Sequence, residues 1–169
     1  MEAPTDRLRR HADEYRSDTT EDRPIGAYTG LMAIYLGAVA ALSLVGRRRL
    51  PGALGPSDLL LGSVATFTLT RTIAKDPIAS PLRMPFTRFE GASGASELQE
   101  EVRATGWRHA VGELLTCPFC LSQWTATLLV AGIVVVPRFT RTMMSVLTMV
   151  GASDALQLVY GRAKVLAQG

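Results

Sequence analysis

Charged residues along this chain are gathered into blocks, and the apolar stretches between the blocks have the lengths of helices that cross a bilayer. Between Pro24 and Gly46 no side chain is charged. The run IGAYTGLMAIYLGAVAALSLVG is close to the roughly 20 residues that a helix needs to traverse the hydrocarbon core. A core helix of a soluble domain would carry a polar stripe, and this segment has none. Tyr28 stands near one end, where an interfacial aromatic belongs. The run is too long, and begins too late behind a mixed-charge stretch, for a cleaved signal peptide, so a retained span is expected.

The pattern predicts further helices downstream. Arg47-Arg48-Arg49 closes the first span, Pro51-Gly52 and Gly55-Pro56 mark a turn, and Ser57-Asp58 caps a second helix. Its uncharged part, Leu59 to Thr70, is short for a span, so it must borrow length from its flanks with Arg71 snorkelling, or remain a buried or interfacial helix. Residues 71–113 alternate both signs of charge and read as a water-facing loop. Small residues fill its middle, and a helix is predicted from Glu97 to Thr105 because acids crowd its first turn. Leu114 to Pro137 is uncharged, with Trp124 at interfacial depth. The last candidate span, Thr142 to Tyr160, is interrupted by Asp154, an acid that must face protein or water. The expected fold is all-α, an integral membrane helical protein with three or four transmembrane helices. A polar N-terminal tail occupies 1–23, and a helical membrane domain with a polar loop at 71–113 occupies 24–169.

Composition strengthens this picture, since 47% hydrophobic residues and a mean hydropathy of +0.18 exceed what one soluble domain requires. Charge then orients it. With four spans and the N-terminus inside, thirteen Lys and Arg fall in the inner segments and five, Arg47 to Arg49 with Arg138 and Arg141, in the outer ones. The arginine triplet runs against the rule locally. The expected location is a bacterial cell membrane, multi-pass, with a cytoplasmic N-terminus and reduced cysteines on the cytoplasmic side. The sequence pI near 9.2 comes from scattered arginines without interleaved aromatics, so no nucleic-acid partner is expected.

The candidate chemistry begins with Cys117-Pro118-Phe119-Cys120, the only two thiols of the chain. Pro118 suits the first position of a helix with Cys117 as its cap, a setting that favours thiolate. A two-residue gap permits attack by one thiol and resolution by the other, but thiol oxidoreductases place such a pair after a strand, in a βαβ setting that is missing here. Zinc needs four ligands; the pair supplies two and His109, eight residues earlier, could add a third, or two chains could pool their thiols. Packing at a helix start is the third reading. Arg71, Asp76 and Arg83 form a polar cluster, with Asp76 placed to pair with either arginine; it could anchor the loop or attract phosphate at the membrane surface. Asp154 is the intramembrane acid, and too few spans accompany it for an inverted-repeat carrier. Hydrolase, zincin, P-loop and dinucleotide fingerprints are absent.

Two stretches carry a resemblance, LTRTIAKDPIASPLRMPF from Leu69 to Phe86 and ELLTCPFCLSQW from Glu113 to Trp124. Over roughly Leu59 to Leu129 the chain resembles an uncharacterised family of small bacterial membrane proteins, the domain of unknown function numbered 1360. Arg71, Asp76 and Arg83 fall at the family's recurring polar positions, and the second stretch resembles its Cys-Pro-aromatic-Cys-Leu block ending in Trp. Ser122 and Gln123 depart from it, standing where a small and an apolar residue are common. The resemblance implies a bacterial membrane protein without an established activity; some relatives are associated with sporulation. The expected function is accordingly a structural or interaction role without catalysis, or alternatively a membrane thiol-redox or metal-binding role for CPFC. No cofactor is expected beyond the zinc just weighed. The expected partners are the lipid bilayer and a second copy or another membrane protein.

Overall fold

The computed structural model describes residues 4–17, 24–49, 54–94, 97–103 and 105–168. The turn expected at Pro51-Gly52, and the tail residues 18–23, lie outside them. A polar helix, α1, covers Pro4–Ser17. Helix α2 follows over Ile25–Arg49, and its hydroxyls bond back into their own helix: Thr29 donates to the Ile25 carbonyl and Ser43 to that of Val39. That arrangement lets polar side chains sit in an apolar helix without an exposed donor.

Helix α3 runs over Pro56–Lys75, opened by Pro56 at its first position and halted at Asp76, which precedes Pro77 and is extended. The expected second span is therefore a full 20-residue helix, although Asp58, Arg71 and Lys75 leave it less apolar than the others. A 3₁₀ turn at Pro77–Ala79 and the short α4, Ser80–Arg83, bring the chain around. Then come α5 (Trp107–Thr116), α6 (Pro118–Val135) and α7 (Pro137–Gln168). Three helices, α2, α6 and α7, are long and apolar enough to cross a membrane.

The chain is mostly helical, as expected, and one hairpin departs from that all-α expectation. Strands β1 (Thr87–Gly94) and β2 (Glu97–Val102) form an antiparallel hairpin, with Thr87 opposite Val102 and Gly94 opposite Glu97. The helix expected over Glu97–Thr105 is thus a strand. Its acids favour a helix locally, but β1 supplies a partner edge, and Val102 packs into the space left by the missing side chain of Gly112, where a Cβ would lie 2.8 Å from the valine methyl. Tertiary packing overrides propensity here.

The four long helices alternate in direction. Helices α3 and α7 run parallel: Asp58 meets Arg141 near their starts, Arg71 meets Asp154 thirteen residues further along both, and Gly62 and Thr68 face Met144 and Gly151 between. Helix α6 is antiparallel to α3 and packs on α2 through Tyr35, whose ring lies 5.3 Å from that of Trp124 and whose hydroxyl is 3.2 Å from that of Thr127. The core between them is Ala65, Ile133 and Met144, with Leu54, Leu61, Leu129 and Leu147 around it. Small residues allow the close approaches, as in membrane bundles. A Cβ on Gly132 would lie 2.5 Å from the Thr140 hydroxyl, and Thr148 reaches across to the Leu61 carbonyl at 3.2 Å.

Candidate functional site

The polar residues at one end of the bundle are organised around Arg83. Its side chain is fully buried, an arrangement that requires every N–H to be matched. One Nη1 donates to the carbonyls of Ile73 (2.6 Å) and Asp76 (3.1 Å), which α3 leaves open at its C-terminal end. Nε and Nη2 form a fork onto Glu100 of β2 at 3.1 and 2.8 Å. The Thr87 hydroxyl lies 2.6 Å from the same carboxylate and 2.9 Å from the Arg83 carbonyl, so it can donate to either. Arg83 thereby ties the end of α3, the turn after it and both strands into one unit.

Burial raises the affinity of Glu100 for a proton, but the bonds from Arg83 and Thr87 outweigh it, with the charges of Arg83 and Lys75 adding to them. The carboxyl is held below the ordinary glutamate value. Glu101, on the exposed side of the hairpin, is also held low by its bond from Arg88, 2.8 Å away.

Arg71 makes the second tie. Nε donates to Glu97 at 2.9 Å, and Nη1 lies 3.5 Å from Asp154 on α7. One guanidinium therefore joins α3, the hairpin and the last helix. Asp154, expected to face protein or water, lies beside Arg71 with its side chain 43% exposed. The other end of the α3–α7 pair carries the reversed arrangement, a fork from Arg141 onto Asp58 at 2.8 and 2.7 Å.

Of the expected polar cluster, Arg71 and Arg83 each reach the hairpin, through Glu97 and Glu100, and Asp76 is not their carboxylate partner. Its backbone carbonyl takes a bond from Arg83, and its charge acts on Arg71 only at a distance. The partners that sequence reading missed are Glu97, Glu100 and Asp154, which lie 26, 17 and 83 residues from their arginines. No local signal couples residues so far apart, whereas the period-3 acids Glu97 and Glu100 were read as a helix start.

The cysteines sit at the joint between α5 and α6. Cys117 caps α6 as its spacing predicts, its sulfur accepting the Cys120 amide at 3.2 Å, and Pro118 holds the first helical position. Both thiols are free; Cys117 is half-buried and Cys120 exposed. His109 stands one turn before Glu113, with Nε2 3.4 Å from its carboxylate, and the Tyr28 hydroxyl of α2 donates to the same carboxylate. Among the described residues no three His, Cys, Asp or Glu side chains are grouped to hold a metal ion.

The arrangement defines a class: a helical bundle with membrane-length helices, carrying at one end a hairpin fixed by buried and half-buried ion pairs. The chain belongs to the family described as Protein of unknown function (DUF1360), whose profile matches residues 60–160. That match extends beyond the two motifs to include α7 as far as Tyr160, and with it Asp154. The chain is also similar to the sporulation protein YjcA of Bacillus subtilis (strain 168), at 29% identity over 107 residues, which cover 62% of this chain and 91% of that protein. No solved structure matches.

Proposed function

We propose that this is a multi-pass protein of the bacterial cell membrane with a structural or interaction role, which presents its hairpin at the cytoplasmic surface. One observation carries the membrane reading. Helix α2 has a mean hydropathy of 1.8 over its best window, yet none of it is buried, and Met32, Ile34, Leu36 and Leu44 are each more than half exposed. An apolar helix with so little protein cover needs an apolar solvent. The alternating directions of α2, α3, α6 and α7 suit four crossings, and the bias of Lys and Arg favours a cytoplasmic N-terminus, hairpin and CPFC. The Arg83 and Arg71 ties support a role in which the hairpin is held in one place for a partner protein or a second copy.

Carbonate extraction with reporter fusions after Arg49, Ser93, Pro137 and Gln168 tests this reading. Retention in the membrane, with the Ser93 and Gln168 reporters inside and the other two outside, is expected; release by carbonate overturns it. The likeness to a sporulation protein makes the sporulating cell the setting in which we place that role. Expression confined to sporulation supports that setting, and equal expression in vegetative growth removes it.

A second reading rests on the accessible Cys117 and Cys120 at the start of α6: a membrane thiol-redox or metal-binding function. Zinc in stoichiometric amount, or a thiol that reacts far faster than its neighbour, both lost in Cys117→Ser with Cys120→Ser, would establish it. Two ordinary titrating thiols and no metal would leave the pair a packing role.

A further inference from the structure

Two clefts, of about 340 and 390 Å³, lie along the seam of α3 and α6 and share Ser63, Thr66 and Ser122 in their walls. They are therefore neighbouring parts of one groove. One end is marked by Asp58, the other by Arg71, Lys75 and Glu97. Thirteen residues of helix separate Asp58 from Arg71, about 20 Å at 1.5 Å per residue, so the groove covers much of the thickness of a hydrocarbon core.

Its lining is unusual for a face open to lipid. Ser63 and Gln123 are exposed on adjoining helices, and among the described residues the Gln123 amide has no hydrogen-bond partner. Uncompensated amides at membrane depth are costly, and such residues ordinarily face a polar path or ligand. At the charged end, Arg71 is engaged by Glu97 and Asp154. Lys75 is different: among the described residues its ammonium has no ion pair, and only its field reaches Glu100. Phe67 (62% exposed) and Phe119 (88% exposed) flank that end as apolar walls.

We propose that this groove binds a phospholipid of the surrounding bilayer, with the phosphate at Lys75 and Arg71, the glycerol and ester groups passing Phe67 and Phe119 toward Gln123, and the acyl chains leaving sideways into the bilayer. The inference rests on the membrane reading above. Charge complementarity selects the occupant: a phosphate supplies the counter-ion that Lys75 lacks, and a groove open sideways at membrane depth admits a molecule whose tails stay in the bilayer. The Ser63 and Ser122 hydroxyls donate to the carbonyls of Leu59 and Phe119, and a soluble phosphate would leave the Gln123 amide without a partner.

The test is native mass spectrometry of delipidated full-length protein with three probes: dioleoylphosphatidylglycerol, dioleoylglycerol and inorganic phosphate. The phospholipid is expected to be retained roughly tenfold better than dioleoylglycerol, the scale of one charge-assisted bond. Lys75→Gln is expected to remove that preference, Lys75→Arg to keep it, and Gln123→Leu with Ser63→Ala to weaken it several-fold. Lys164→Gln, on the last turns of α7, should change nothing. Equal retention of phospholipid and dioleoylglycerol, undiminished binding by Lys75→Gln, or full competition by inorganic phosphate would overturn the proposal. Each variant is first checked for membrane insertion. Wild type that inserts and shows no preference for the phospholipid defeats this inference alone, whereas wild type that fails to insert defeats the membrane reading.

Discussion

Truncating Arg83 should release the hairpin from the bundle. The guanidinium makes four contacts, to the carbonyls of Ile73 and Asp76 and to both oxygens of Glu100, and its side chain has no solvent exposure. In Arg83→Ala, Glu100 keeps only the Thr87 hydroxyl while its side chain is 7% exposed. Leaving one member of such a pair costs about 3–5 kcal/mol. At about 1.4 kcal/mol per decade, the open population of the hairpin rises by at least a hundredfold. Arg88 and Arg103 flank the segment and offer trypsin its cleavage sites. Limiting trypsin on full-length protein in detergent reads that population, because cleavage under those conditions tracks the opening equilibrium. Cleavage at Arg88 and Arg103 should accelerate a hundredfold or more, with helical circular dichroism of the bundle largely kept. Arg83→Lys should fall between, since an ammonium cannot fork onto Glu100 and reach both carbonyls. Arg83→Met with Glu100→Gln should recover most of the loss, since both charges then leave together. Acceleration under threefold in Arg83→Ala, or simple additivity in the double variant, would refute the reasoning.

Other outcomes follow from the same geometry. Because the Glu100 carboxyl is held below its ordinary value, its contribution to hairpin stability is complete above about pH 5 and is lost as pH falls through its lowered value; tryptic or peptic protection should be flat near neutrality and decline only in acid, and Glu100→Gln should flatten that decline. Gly151→Ala places a Cβ against the Thr68 hydroxyl and should lower stability by about 1–3 kcal/mol, read by the detergent melting temperature; Thr68→Ala should restore it, and failure of that rescue would argue against this helix contact. Reversing one charge, Asp58→Arg, should lower the melting temperature by setting two cations together, and adding Arg141→Asp should restore it; no recovery in the pair would show that the fork contributes nothing.

Much of the bundle could be read along the chain because bilayer-length apolar runs are a local property. The uncharged stretches marked α2 and α6, and Cys117-Pro118 marked the cap between α5 and α6, since each depends on residues within a turn or two. The acid at Asp154 was also recognisable as one that must face protein or water. Tertiary structure alone decided its partner. Arg71 reaches Asp154 because α3 and α7 run parallel in matched register, and Arg83 finds Glu100 because the hairpin folds back over the end of α3. Asp76 was the nearer acid in sequence, but an extended backbone before Pro77 turns its carbonyl toward Arg83. The strand at Glu97–Val102 has the same origin: its residues favour a helix taken alone, and pairing with β1 together with two arginine ties outweighs that local preference. Periodicity is set by neighbours along the chain, whereas the pairing of buried charges is set by which helices lie side by side.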